Sequence, residues 1–159
     1  MPHTTPRTSS SSASLDAPAA PAAPGATSSA ARPVRAALVL GLTGNYGGAM
    51  ARALVAEGVQ VRALVRDPAR AAEAAARLGL DGQVSLVLGN ALDPAALAAA
   101  ADGVDLIVHG LNPLYHQWDP AVADLARAVA EAAVQAQATI AFPGNVYPFA
   151  PGVGITEDT

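Results

Sequence analysis

An apolar run, Ala36 to Leu40, is followed at once by three glycines at spacing three, Gly41, Gly44 and Gly47, and then by a stretch of helical character, Gly48 to Glu57. Glycine weakens both strands and helices. Three of them at a strand-to-helix junction therefore serve another need: a sharp turn and a close backbone approach. A helix that starts just after a strand offers unpaired N–H groups and a partial positive charge to an anion. On this reading Gly41 makes the turn, Gly44 permits close approach of a pyrophosphate, and Gly47 gives the helix-to-strand contact. Leu42, Thr43, Asn45 and Tyr46 then lie on the ligand side. The spacing is G-x-x-G-x-x-G, not G-x-G-x-x-G, and a purely structural turn would use glycines too. The context favours a dinucleotide site: strand before, helix after, and a second apolar run at Val61 to Val65.

The same alternation continues along the chain. Met50 and Leu54, four apart, mark the first helix, which Gly58 stops. Asp67-Pro68 opens a second helix, with Asp as cap and Pro at the first helical position, and Gly79 ends it. Val84 to Leu88 is a third strand. Asp93-Pro94 opens a third helix that ends near Gly103. Asp105 to His109 is a fourth strand. Asp119-Pro120 opens a fourth helix, whose face is Val122, Leu125, Val129 and Ala133. Thr139 to Phe142 is a fifth strand. Each strand is apolar throughout, which predicts parallel strands buried on both sides in a doubly wound α/β sheet.

Residues 1–35 differ from the rest. They are Ser, Thr, Ala and Pro with few large apolar residues, a composition expected to stay disordered. Residues 36–159 are left for one small domain. The initial segment has no apolar stretch like a signal peptide. Its Ser/Ala content loosely matches a transit peptide, but a linker or a misassigned start accounts for it more simply, and the cytoplasm is the expected compartment. No apolar run approaches the length of a membrane span. The net charge of -4 argues against a nucleic-acid surface. The absence of cysteine excludes disulfides and thiolate chemistry. All nine basic residues are arginines.

The end of the second strand bears on cofactor choice. A site for NAD calls for an acidic residue there, to hold the ribose hydroxyls. This chain has Val65 and then Arg66. A guanidinium grips a 2′-phosphate with paired hydrogen bonds, whereas a carboxylate repels it. NADP is therefore expected ahead of NAD. The competing reading is a solvated arginine leading a helix, with Asp67 beside it.

These motifs resemble the short-chain dehydrogenase/reductase superfamily in its extended or atypical branch, which includes the NAD-dependent epimerase/dehydratase family and the NmrA-like proteins. "GLTGNYG" resembles its glycine motif and "VRALVRDP" its NADP-type second strand. "LVLGNALDPAALAAAADGVDLIVHG" resembles the third and fourth strands with the helix between, and "FPGNVYPFAP" the loop after strand five. The likeness runs from Val34 to Thr159. It implies a Rossmann-like sheet in strand order 3-2-1-4-5, a bound dinucleotide, and hydride transfer in a complete member. It implies adenine contact at Asn90, where the family usually has Asp, with Ala91 beside it. By topology His109 ends the fourth strand at the cofactor crevice, either as a positional residue beside the nicotinamide ribose, with Gly110 giving backbone clearance, or as a general base.

The chain departs from the family in its chemistry. Aligning Val146-Tyr147 on the family's Val-Tyr pair puts Pro143 where a proton-transferring Ser would stand, with Asn145 nearby. With no lysine in the chain, the Tyr-x-x-x-Lys pair does not exist in it. The catalytic residues are thus unknown, and the sheet is expected to be incomplete at its C-terminal side, either as a truncated frame or as half of a split protein. A small-molecule substrate would require a further lobe. The alternatives are a non-catalytic NADP sensor of NmrA-like type and a decayed fragment. The loop Leu111 to Asp119, with Tyr115, His116 and Trp118, either lines a substrate pocket or covers the fourth helix. No metal site is expected.

Overall fold

The computed structural model describes residues 33–114, 116, 118–144, 154 and 156. The initial segment up to residue 32, Tyr115 and residues 145–147 lie outside the described residues. Elements alternate strictly: β1 (Ala36–Leu40), α1 (Asn45–Ala56), β2 (Gln60–Val65), α2 (Pro68–Arg77), β3 (Val84–Leu88), α3 (Pro94–Ala101), β4 (Leu106–His109), α4 (Trp118–Ala136) and β5 (Thr139–Ala141). The five strands form one parallel sheet in the order β3-β2-β1-β4-β5, as the resemblance implied.

Side chains alternate across β1, and the two sets seed two cores. Leu38 and Leu40 join Leu64, Leu97, Ile107, Leu125 and Val129 under α3 and α4. Ala37 and Val39 join Leu42, Ala51, Ala63, Ala71 and Val108 under α1 and α2. Alanine-rich helices suit this sheet, because small side chains let a helix lie close over the strands. Asp105 ties the start of β4 to β1, its carboxylate accepting from the N–H groups of Arg35 at 2.9 Å and Ala36 at 3.2 Å. Arg62 of β2 donates to the carbonyls of Ala100 at 2.8 Å and Asp102 at 3.1 Å, closing the C-terminal end of α3.

Several sequence expectations need correction. The first helix starts at Asn45, three residues before Gly48, so Gly47 and Gly48 sit inside it. Their cost in helix propensity is about 1 kcal/mol each, and packing explains them. A Cβ on Gly47 would run into the carbonyl of Gly41, and one on Gly48 would lie 3.0 Å from a Leu78 methyl. Gly47 therefore packs against the turn itself and not against a strand.

The strands are not all buried on both faces. The central β1 and β4 are, but the edges β3 and β5 are largely open. Asp67 and Asp93 cap α2 and α3 as expected: Asp67 accepts from Arg70 N–H, and Asp93 from Ala95 and Ala96 N–H. Asp119 has the same extended torsions as these two caps (φ -99, ψ 120), because a residue before proline is pushed out of the helical region, and it separates a turn at Trp118 from the helix that continues from Pro120. Val122 does not join the buried face of α4; Leu125, Val129, Ala132 and Ala133 form it. Among the described residues no helix is long and apolar enough to cross a membrane.

Candidate dinucleotide crevice

The chain reverses direction across the sheet between β1 and β4. Ligands of open parallel sheets bind at the carboxyl ends of the strands at such a switch point. Gly41 ends β1 there with φ +86, and Gly110 ends β4. Gly110 N–H donates to Leu40 O at 2.9 Å, and a Cβ on Gly110 would lie 2.8 Å from the same oxygen. The two strand ends thus meet as bare backbone.

The turn that follows presents donors outward. Gly44 is extended (φ -90, ψ 163), and its N–H donates to Gly41 O at 2.9 Å. The next three N–H groups, of Asn45, Tyr46 and Gly47, are the first of α1. They have no acceptor among the described residues, as the first turn of a helix dictates. No side chain caps this helix, and no acid lies in its first turn. Thr43, Gly44 and Asn45 are exposed and Tyr46 is half-buried. Leu42, expected on the ligand side, is instead 1% exposed within the core beneath α1 and α2. In a turn this tight one side chain must point into the protein, and the apolar one does.

Two cavities meet at this turn. One, of about 610 Å³, runs over the ends of β1, β2 and β3 past Arg66, Arg70, Asn90 and Ala91. The other, of about 670 Å³, runs over β1 and β4 past Tyr46, His109, Gly110 and Trp118. They share Gly41, Thr43, Leu111, Asn112, Pro113 and Leu125. The crevice therefore brings together Gly41, Thr43, Gly44, Asn45, Tyr46, Arg66, Asn90, Ala91, His109 and Gly110, with Gly47 as buried backbone behind it.

Individual side chains refine the picture. Arg66 and Arg70 are both exposed, and neither has an ion-pair partner among the described residues. Asp67, which stands between them in sequence, directs a carboxylate oxygen to Arg70 N–H at 3.1 Å. Arg70 was missed in the sequence. Its signal was available: it follows Arg66 by one helical turn in the helix that Asp67-Pro68 opens. Asn90 spends its side-chain oxygen on Leu92 N–H at 3.1 Å, a turn-forming bond that leaves its amide N–H₂ outward as donor. Ala91 is buried in the core below.

His109 is 6% exposed, with a buried Nδ1 that has no hydrogen-bond partner among the described residues. Burial lowers its pKa from the ordinary value of 6.5, so the imidazole is held neutral. Its ring lies 5.2 Å from that of Phe142. His116 is exposed, and among the described residues no group of His, Cys, Asp or Glu has the geometry to hold a metal. Trp118 donates its indole N–H to Pro113 O at 3.0 Å and borders the second cavity, so the loop lines a pocket.

Fold and crevice together define a dinucleotide-binding α/β protein. The family model for NAD(P)H-binding matches residues 41–140, well over half of the chain, and the chain belongs to that family. No curated protein matches it. Among solved structures it is similar to Citrobacter sp. triphenylmethane reductase complexed with NADP(H), at 28% identity and a TM-score of 0.53, over 67% of this chain and 36% of that one. A protein from Lactobacillus casei is similar at 26% identity and a TM-score of 0.56, over 67% and 47%. The protein gox2253 is similar at 28% identity and a TM-score of 0.57, over 78% and 37%. The chain thus spans less than half the length of each. These findings uphold the resemblance to short-chain dehydrogenase/reductase proteins.

Proposed function

We propose that residues 36–159 are the NADP-binding unit of an NAD(P)-dependent oxidoreductase, set off from a Ser/Ala/Pro-rich segment at 1–35. The dinucleotide would lie across the glycine turn, its pyrophosphate on the N–H groups of Asn45 and Tyr46. Arg66 and Arg70 would hold the 2′-phosphate. Gly89, Asn90 and Ala91 would border the adenine, and His109 and Gly110 the nicotinamide ribose. When bound, the nicotinamide supplies or accepts the hydride. The chain's own residues bind it, orient it and keep charge away from the ring.

One observation carries the preference for NADP: among the described residues two arginines stand unpaired over one cavity, while the carboxylate between them in sequence accepts from a backbone N–H. The NADP(H)-bound Citrobacter relative is consistent with it. The test is a thermal-shift titration with NADPH and NADH on the wild-type chain and on the Arg66→Ala, Arg70→Ala double variant. A larger stabilisation by NADPH that the double variant loses supports the reading. Equal stabilisation by both cofactors, unchanged in the variant, defeats the preference. No stabilisation by either defeats the cofactor role.

A further inference from the structure

The two cavities that meet at the glycine turn differ sharply in charge. The one over β2 and β3 carries Arg66, Asp67 and Arg70. The one over β4 has no charged side chain among the described residues that line it. Its walls are apolar and aromatic: Trp118, Val122, Leu125 and Phe142, with His109 at the base. Val122 and Phe142 stay 37% and 60% exposed, so apolar surface is left open on the cavity side of α4 and just past β5. The imidazole of His109 is neutral, and it lies tilted by 37° against the Phe142 ring.

We infer that this second cavity binds an uncharged, planar, aromatic molecule beside the nicotinamide, so that the substrate class is a neutral aryl compound and not a carboxylate, a phosphate ester or a sugar nucleotide. The inference rests on the cofactor reading for the nicotinamide's place, but the cavity's selectivity stands on its lining alone. Removing an ionised carboxylate from water without a paired charge or several hydrogen bonds is costly. Among the described residues that line it, this cavity offers such an anion neither arginine nor lysine. The N–H groups of Asn45 and Tyr46 at its edge are those proposed to hold the cofactor's pyrophosphate, so the comparison with NADP+ bound is the one that reads the cavity itself. A flat apolar ring loses no hydration of that kind and gains contact with Trp118, Phe142 and the aliphatic face of α4. A volume of about 670 Å³ lies in the range of pockets that hold a drug-sized ligand, more than a single ring requires.

The chain's single tryptophan lines this cavity, so its emission reports occupancy there. The experiment titrates 2-acetylnaphthalene and its carboxylated counterpart, 6-acetyl-2-naphthoate, by calorimetry and by Trp118 emission. Both titrations run on the free chain and with NADP+, the oxidised cofactor, so that no hydride moves. The expected result is binding of the neutral ketone at least about tenfold tighter than the carboxylate, with Trp118 quenched.

Ala126, exposed on α4 at the cavity wall, gives the charge control. In Ala126→Arg the carboxylate should gain about tenfold and overtake or match the ketone. Equal or tighter binding of the carboxylate by the wild type overturns the proposal. So does failure of both probes to bind, or binding that leaves Trp118 emission unchanged. Calorimetry with NADPH alone tells the two apart: if NADPH binds and the ketone does not, only this inference falls, whereas absence of NADPH binding strikes the cofactor reading.

Discussion

A Cβ placed on Gly41 would lie 2.6 Å from the carbonyl oxygen of Gly110, so the ends of β1 and β4 touch through backbone at the point where the crevice opens. Gly41 also has φ +86, a conformation that L side chains rarely adopt. Gly44 differs on both counts. Its torsions are extended, and an added Cβ would lie 3.3 Å from Gly41 O. Gly41→Ala is therefore expected to cost roughly 2–3 kcal/mol of folding stability. Gly44→Ala should cost less than about 1 kcal/mol while weakening NADPH binding, because its methyl would occupy the pyrophosphate's approach. Urea denaturation and calorimetry on both variants check this pair.

His109 gives a pH signature with a definite sign. Burial lowers its pKa in the folded chain, while in the unfolded chain it titrates near 6.5. Between those values the unfolded chain binds more protons, so stability rises with pH. The contribution is complete above about pH 7.5, falls as pH drops through 6.5 and levels off below the folded value, with a slope of at most about 1.4 kcal/mol per pH unit. Melting temperatures between about pH 8 and 5 should show this slope, and His109→Gln should flatten it.

Arg62 is expected to act on stability alone. Its guanidinium closes the carbonyl end of α3 on the core face away from both cavities. Arg62→Met should cost about 1–3 kcal/mol, the range for hydrogen bonds from a charged group. NADPH affinity in the folded fraction should not change. Chemical denaturation and a binding isotherm on the same sample separate the two readouts.

What the sequence made legible follows from which signals are local. Asp67-Pro68 and Asp93-Pro94 state a cap and a first helical position within two residues, and the caps form as read. Asp119-Pro120 has the same letters, and Asp119 takes the same extended torsions ahead of the helix that continues from Pro120, since the cap position and the residue before proline both avoid the helical region. The apolar composition of Val84 to Leu88 did not disclose that β3 lies at a sheet edge with Leu88 68% exposed, because edge position is a property of topology. At the site, Arg66 was legible by its place after a strand. Arg70 required the helix register, and the inward turn of Leu42 required the fold. The bare charge contrast between the two cavities was not legible at all, because it depends on which loops converge.

Asn45 separates folding from cofactor binding most cleanly. It is the exposed first residue of α1, which has no acid in its first turn. Asn45→Glu places a negative charge at a helix N-terminus, which stabilises the free protein by about 0.3–1 kcal/mol. The same charge would stand where the pyrophosphate is proposed to lie. The measurement is a calorimetric titration of NADPH into the wild type and this variant, each with its melting temperature recorded. The expected result is a melting temperature equal to or above the wild type's, together with NADPH affinity lowered by about tenfold or more. A variant that folds as well and binds NADPH as tightly as the wild type would contradict a dinucleotide seated on the glycine turn.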